Sequence, residues 1–528
     1  MTSDTTTTDT PSPWRHPLWL VVALGAIIRL YNLGHFSFWY DEAASIIGAA
    51  WVDRDLSFLS ASESRLIPMF AVLGRIWYEL GQHVFGITMG TRTSDAYLRL
   101  LPLASSVALI PMTYLLSMYL FKQRAAALIA VLFIAISPFQ VYYAQEYRPH
   151  SLYALIVCAG VYCSLRALED GTRRWWIATV ITGALAIYTY YFSALYLVCM
   201  NIYALTCFNR YRDKIRPWTI SQLSILALII PPALMASQIW GVHASAEEHW
   251  FPHPTLKTVL LTLKNFFAGY SSTIPLYWTL FFVGLVILLF GLYTARNDRR
   301  QLSLLLCVSI VPILIQVIVW STQEFAFYTY RVQLAFAAPV YILMGVGVAG
   351  LPKAWARIAI VGVFTLLSGF ALKDLYQQNM HPVWNHVIGA RYKIDSRSAS
   401  DWIASDWQEG DRVAHFCTFS IGPFRSYYLP DKPQWVMSLT EEDRLELLKS
   451  FPDEAMWTDV GFMPLPAEEI VNGAARIWYV ESWWDFDQRI GRMDEFRAWL
   501  DAHGTVEEHR EYDGIEVVLY LMHENAPD

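Results

Sequence analysis

The chain has 528 residues, of which 55% are hydrophobic and only 16% charged, with a mean hydropathy of +0.31. A soluble globular protein is nearer a quarter charged, so this is the composition of a membrane protein, long enough for more than one domain. The net charge of −7 speaks against a nucleic-acid partner.

The chain opens on a polar, Thr-rich stretch, residues 1–16, expected to be a disordered cytoplasmic tail. Apolar segments long enough to approach a bilayer crossing follow at 17–34, 96–120, 124–141, 151–168, 175–190, 191–208, 217–237, 275–294, 302–320, 331–350 and 355–372. The first continues into Arg29-Leu30-Tyr31 with no small-residue cleavage site, so it reads as a span and not as a signal peptide. The 22 Trp and 30 Tyr suit membrane interfaces. Five short connections carry Lys122/Arg124, Arg173/Arg174, Arg210/Arg212/Lys214/Arg216, Arg296/Arg299/Arg300 and Lys353/Arg357. With about eleven spans all five fall on one side, which the positive-inside rule makes cytoplasmic. The N-terminus is then cytoplasmic. Segment 35–95, loops 142–150, 238–274 and 321–330, and everything after 373 face outward.

Residues 41–52 and 66–85 have helical apolar spacing and read as amphipathic helices at the outer interface. The tail, 373–528, changes character. Strand-like runs at Arg412–Phe419, Arg476–Val480 and Ile515–Leu521 alternate with helix-like runs at 397–408, 440–451 and 488–502. That alternation predicts a small α/β domain. It has no phosphate loop and no metal-ligand spacing, so it is expected to play a structural or acceptor-positioning part. The six cysteines form neither a CxxC motif nor a disulfide framework.

Four constellations carry chemistry on the outer face. Asp41 and Glu42 adjoin the first span; as acids at a helix start they suit the dipole, and Asp41 is also a candidate general base. Tyr142 to His150, between the third and fourth spans, brings Tyr143, Gln145, Glu146, Arg148 and His150, more polar chemistry than a turn needs. Arg99 and Arg331 stand at outer helix ends, where positive-inside bias makes arginine less expected; their guanidinium forks suit a phosphate. His243, Glu247, Glu248, His249 and His253 offer a candidate divalent-metal cluster whose spacing matches no specific site.

Phe38-Trp39-Tyr40-Asp41-Glu42-Ala43 resembles the acidic first-loop motif of GT-C membrane glycosyltransferases. The resemblance is to the superfamily of protein O-mannosyltransferases and lipid A aminoarabinose transferases. Tyr97 to Pro102 is similar to its arginine motif, Ser137 to Pro149 to its second outer motif and, more weakly, Thr189 to Phe192 to a later one. Order and spacing fit over about residues 17–210. Two departures stand out. Leu66-Ile67-Pro68 lies where bacterial relatives often carry His-Pro-Pro, and Tyr190 where they often carry His. The resemblance implies a mostly α fold: a polytopic helical bundle, residues 17–372, with a C-terminal extracytoplasmic α/β domain, 373–528. It implies an inverting transferase moving one sugar from a polyprenyl-phosphate carrier to a lipid, polysaccharide or protein acceptor, in a bacterial inner membrane. Asp41 would be catalytic and Arg99 a phosphate contact. Glu42, Tyr143, Gln145, Glu146, Arg148, His150 and Arg331 are the expected substrate-binding residues. A transporter or flippase of a lipid-linked saccharide is the alternative, but transporters place charges at the midplane of broken helices, whereas here they sit at outer ends.

Overall fold

A computed structural model describes residues 17–50, 67–244, 253–323, 328–380, 392–450, 461–482 and 492–523. The N-terminal tail 1–16, Leu66, Glu247, Glu248 and His249 lie outside these, as does the side chain of His243. The described residues are mostly helical, with one six-stranded sheet towards the C-terminus.

The elements that build the site come early. They are α1 (Pro17–Leu30), α2 (Tyr40–Ala50), α3 (Pro68–Glu79), α4 (Arg92–Phe121), α5 (Arg124–Ile136), α6 (Pro138–Ala144) and α7 (His150–Asp170). Helices lie on each apolar segment read from the sequence. Among the described residues five helices are long and apolar enough to cross a membrane, or up to eight if each of three bent pairs is one span. α4 is the longest at 30 residues, started by a Thr91–Ser94 capping box and ended by Lys122 in the left-handed region.

The bend between α5 and α6, 56°, has a local cause. Pro138 has no N–H and pushes Ser137 into an extended conformation, so the helix stops and restarts. That break leaves carbonyls without helical partners inside an apolar bundle. Arg29, fully buried on α1, donates to Ala135 O at 2.8 Å and Ile134 O at 3.2 Å, and to Ser106 Oγ at 2.8 Å. One arginine thus closes a broken helix and ties α1, α4 and α5 together.

α2 and α3 form between α1 and α4, where helical apolar spacing is expected. α3 leaves Ile76 exposed, and Val84 and Phe85 just beyond it are exposed too, an apolar edge suited to the interface.

The tail folds as an α/β unit. Its strands are β1 (Arg412–His415), β2 (Gln434–Ser438), β3 (Pro464–Pro466), β4 (Arg476–Ser482), β5 (Gly504–Tyr512) and β6 (Ile515–Met522), in the order β3-β2-β1-β4-β6-β5. The first four are mutually parallel and the β5–β6 hairpin adds antiparallel to β4. β4 is buried along its whole length, as a strand covered on both faces must be. Residues Thr418 and Phe419, read as a continuation of β1, instead open a helix, Thr418–Pro423.

That helix packs on α2. Trp39 buries with Ala414, Phe416, Cys417 and Phe419 of the tail, and the Tyr40 ring meets Phe419 edge-on at 5.1 Å. Gly422 is required here: a Cβ would come within 2.7 Å of the Tyr40 ring. Trp39 therefore belongs to the tail's core, with Tyr40 packed against it.

Candidate active site

Neighbouring residues on a helix point about 100° apart, so Asp41 and Glu42 in the first turn of α2 part company. Glu42 turns inward and is fully buried. Its carboxylate accepts from Arg99 Nε and Nη2, both at 2.8 Å, from the Tyr147 backbone N–H at 2.7 Å and from Lys393 Nζ at 3.1 Å. Burial alone would raise its pKa; Arg99, then Lys393 and these hydrogen bonds outweigh it and hold the carboxyl down at about 2. Its share of stability is therefore present above the ordinary carboxylate range and is lost as pH falls towards 2.

Arg99, expected to meet a phosphate, is enclosed by acceptors of the chain itself. Besides the two bonds to Glu42, it donates to Leu33 O at 3.1 Å, Phe36 O at 2.7 Å and Ser37 O at 3.1 Å. All five guanidinium N–H donors are spent, and the side chain is 1% exposed. No donor remains for a carrier phosphate. Arg99 instead shapes the turn that presents α2.

Asp41 turns to the other side, where its side chain stays 18% exposed. Arg331 Nη1 donates to Asp41 Oδ2 at 2.6 Å, and Arg148 Nη2 stands 3.9 Å from the same oxygen. Arg148 Nη1 also donates to the Asp41 carbonyl at 2.8 Å and to Ser45 Oγ at 2.9 Å, pinning the α6–α7 loop to α2. Two cations from distant parts of the chain thus converge on one half-open carboxylate.

Behind this pair lies a buried polar floor. Tyr143 and Tyr270 share a 2.5 Å hydrogen bond between hydroxyls. The His150 ring meets Tyr143 edge-on at 5.2 Å and Tyr190 at 5.4 Å, and neither of its nitrogens finds a hydrogen-bond partner among the described residues. Glu146 is buried, with no hydrogen bond to Oε1 among the described residues. Burial raises its pKa to about 7; Lys393 opposes this, and the carboxylates of Glu42 and Asp41 add to it. The folded chain therefore holds a proton that the unfolded chain releases near 4.5, and stability falls as pH rises from there to about 7. Glu146→Gln is expected to flatten the pH dependence of the thermal midpoint across that window in detergent-purified protein. An unchanged slope would remove Glu146 from this role.

Gln145 departs from its expected place. Its side-chain amide donates to Arg29 O at 2.9 Å and Tyr31 O at 2.7 Å, closing the end of α1, and only its backbone carbonyl faces the site. That carbonyl accepts from Lys393 Nζ at 3.2 Å. The tail, expected to stand apart from the chemistry, thus delivers a buried lysine to the acidic motif. A lone Lys 351 positions from Glu42 has no local pattern by which to be found.

The loop histidine cluster gathers nothing among the described residues. His253 Nδ1 is 2.9 Å from the Trp320 carbonyl, and no three His, Cys, Asp or Glu side chains come together among the described residues.

Residues 84–235 match the family model described as dolichyl-phosphate-mannose-protein mannosyltransferase. No curated protein matches. The fold is similar to that of the crystal structure of ArnT from Cupriavidus metallidurans in the apo state, with a TM-score of 0.63 at 15% identity, covering 95% of this chain and 97% of that one. The same protein bound to undecaprenyl phosphate aligns with a TM-score of 0.62 at 15% identity, over the same shares. By motif, by family model and by fold, the chain resembles the GT-C membrane glycosyltransferases, the superfamily of protein O-mannosyltransferases and lipid A aminoarabinose transferases.

Proposed function

We propose that the chain is an inverting glycosyltransferase that moves one hexose or pentose from a polyprenyl-phosphate carrier to a hydroxyl or phosphate acceptor on the outer face of the membrane. The acceptor belongs to a lipid, a polysaccharide or a protein. The N-terminus is cytoplasmic, and residues 373–528 form an extracytoplasmic domain beside the catalytic bundle 17–372.

The observation that carries this reading is the Asp41 carboxylate, held 2.6 Å from Arg331 with Arg148 beside it. An incoming carrier phosphate competes for those guanidinium groups, which suit it bidentately. As Arg331 turns to the phosphate, Asp41 loses its counter-charge and becomes the stronger base. The acceptor oxygen then attacks the anomeric carbon from the face opposite the carrier. Its proton passes to Asp41, and the bond from that carbon to the phosphate oxygen breaks with the electron pair staying on the phosphate. The buried tyrosines and His150 supply a platform for the sugar. The binding of undecaprenyl phosphate by the ArnT of similar fold supports a carrier of that class.

The test is turnover by purified protein in lipid nanodiscs, with sugars linked to undecaprenyl phosphate as donors. Release of free undecaprenyl phosphate that depends on acceptor is expected. Carrier-linked sugar that crosses a sealed vesicle uncleaved would replace the reading with transport.

A further inference from the structure

Four observations meet at Lys393. The residue is buried, although it belongs to the tail. Its ammonium donates to Glu42 Oε2 at 3.1 Å on α2 and to the Gln145 carbonyl at 3.2 Å on the α6–α7 loop. Its backbone is gripped twice by Gln378, whose Oε1 accepts from Lys393 N at 2.6 Å and whose Nε2 donates to Lys393 O at 3.1 Å. A run of polar contacts continues from there. Ser37 Oγ donates to Asp395 Oδ1 at 3.0 Å, Arg397 Nη2 to His35 O at 2.8 Å, and the Phe38 N–H to Tyr428 Oη at 2.7 Å. Arg397 and Tyr428 both close on Asp95 of α4. The tail therefore holds the segment leading into the acidic motif, and Lys393 reaches through to the motif itself.

Resting on the glycosyltransferase reading above, we propose that Lys393 is a positioning residue of the site, pinning the Gln145 carbonyl against Glu42 so that Glu146 and Arg148 keep their places over Asp41. A buried ammonium between a carboxylate and a carbonyl is not a surface ion pair. Its removal takes away one tie between the loop and α2, next to Glu146, and leaves Tyr147 N–H on Glu42 and Arg148 on the Asp41 carbonyl and Ser45 to hold the rest. The docked tail is then part of the catalytic apparatus, because a bundle without it lacks the buried ammonium between Glu42 and the Gln145 carbonyl. Lys393 acts through Glu42 and the loop and touches no reacting atom.

The groups facing Lys393 are Glu42 on α2, Arg99 on α4 and Glu146 on the loop, with Asp41 adding to the field at Glu146. Removing the ammonium takes away the cation that lowers the Glu146 pKa, so that group should then titrate at higher pH. This provides a readout that does not depend on turnover.

The experiment uses the full chain with Lys393→Met, Lys393→Gln and Lys393→Arg. The protonated-carboxyl infrared band that disappears in Glu146→Gln is titrated in each. In Lys393→Met this band is expected to persist to higher pH than in the parent. The turnover number is expected to fall about tenfold or more, as for a misplaced catalytic geometry, with undecaprenyl phosphate affinity within about twofold and partial recovery in Lys393→Arg. If Lys393→Met fails to fold, Lys393→Gln carries the same comparison. An unchanged Glu146 titration together with parental turnover overturns the proposal. A parent protein that never cleaves carrier-linked sugar overturns the glycosyltransferase reading instead, while the infrared titration still decides the placement of Lys393.

Discussion

Asp41→Asn is expected to fold as the parent does and to lose about 100-fold or more in turnover, the scale of acid–base assistance. The substitution keeps the shape of the side chain, and the amide oxygen can still accept from Arg331, whose Nη1 now lies 2.6 Å from Asp41 Oδ2. What is lost is the negative charge and the ability to take a proton. Donor affinity should change little or rise, because the carrier phosphate no longer competes with a carboxylate for Arg331. The deficit should be largest with hydroxyl acceptors and smaller with a phosphate acceptor, which is already ionised. Turnover of purified Asp41→Asn near the parental rate, with a hydroxyl acceptor, would take the proton-accepting role away from Asp41.

Part of this cluster was legible in the sequence. Asp41, Glu146, Arg148, His150 and Arg331 stand at ends of apolar segments, where charge needs a reason, and they do come together. The apolar strands β4 and β6 announced themselves by composition. Other features had no local signal. β5, running Thr505-Val506-Glu507-Glu508-His509-Arg510, is an exposed, charged edge strand with no alternation to read. β3 is three residues long, two of them proline. Arg99 and Arg331 looked alike as arginines at helix ends, yet one is enclosed by five acceptors and the other faces Asp41. That difference lies in which carbonyls the turn after α1 happens to aim, and no spacing rule reports it. Lys393 acts across a sequence separation that only the folded tail closes.

Arg99→Met tests the division of labour between the two arginines. In this geometry the substitution removes five hydrogen bonds and leaves the buried Glu42 carboxylate with only Lys393 as a cation. Breaking one side of a buried pair costs about 3–5 kcal/mol, because the remaining charge stays desolvated. A large drop in thermal midpoint is expected in detergent-purified protein, together with a low folded yield. Turnover should fall with the folded fraction, and undecaprenyl phosphate should bind the folded fraction with nearly parental affinity. A phosphate ligand would behave in the opposite way: the variant would stay stable and lose donor affinity. That second outcome would return Arg99 to the donor site and make its enclosure by Glu42 and the carbonyls of Leu33, Phe36 and Ser37 a resting state that opens when the carrier arrives. Arg331→Ala supplies the contrast within the same assay, since Arg331 leaves Asp41 half-open rather than buried. It should weaken donor binding with little loss of stability, and the two variants together separate the arginine that builds the turn from the one that meets the carrier.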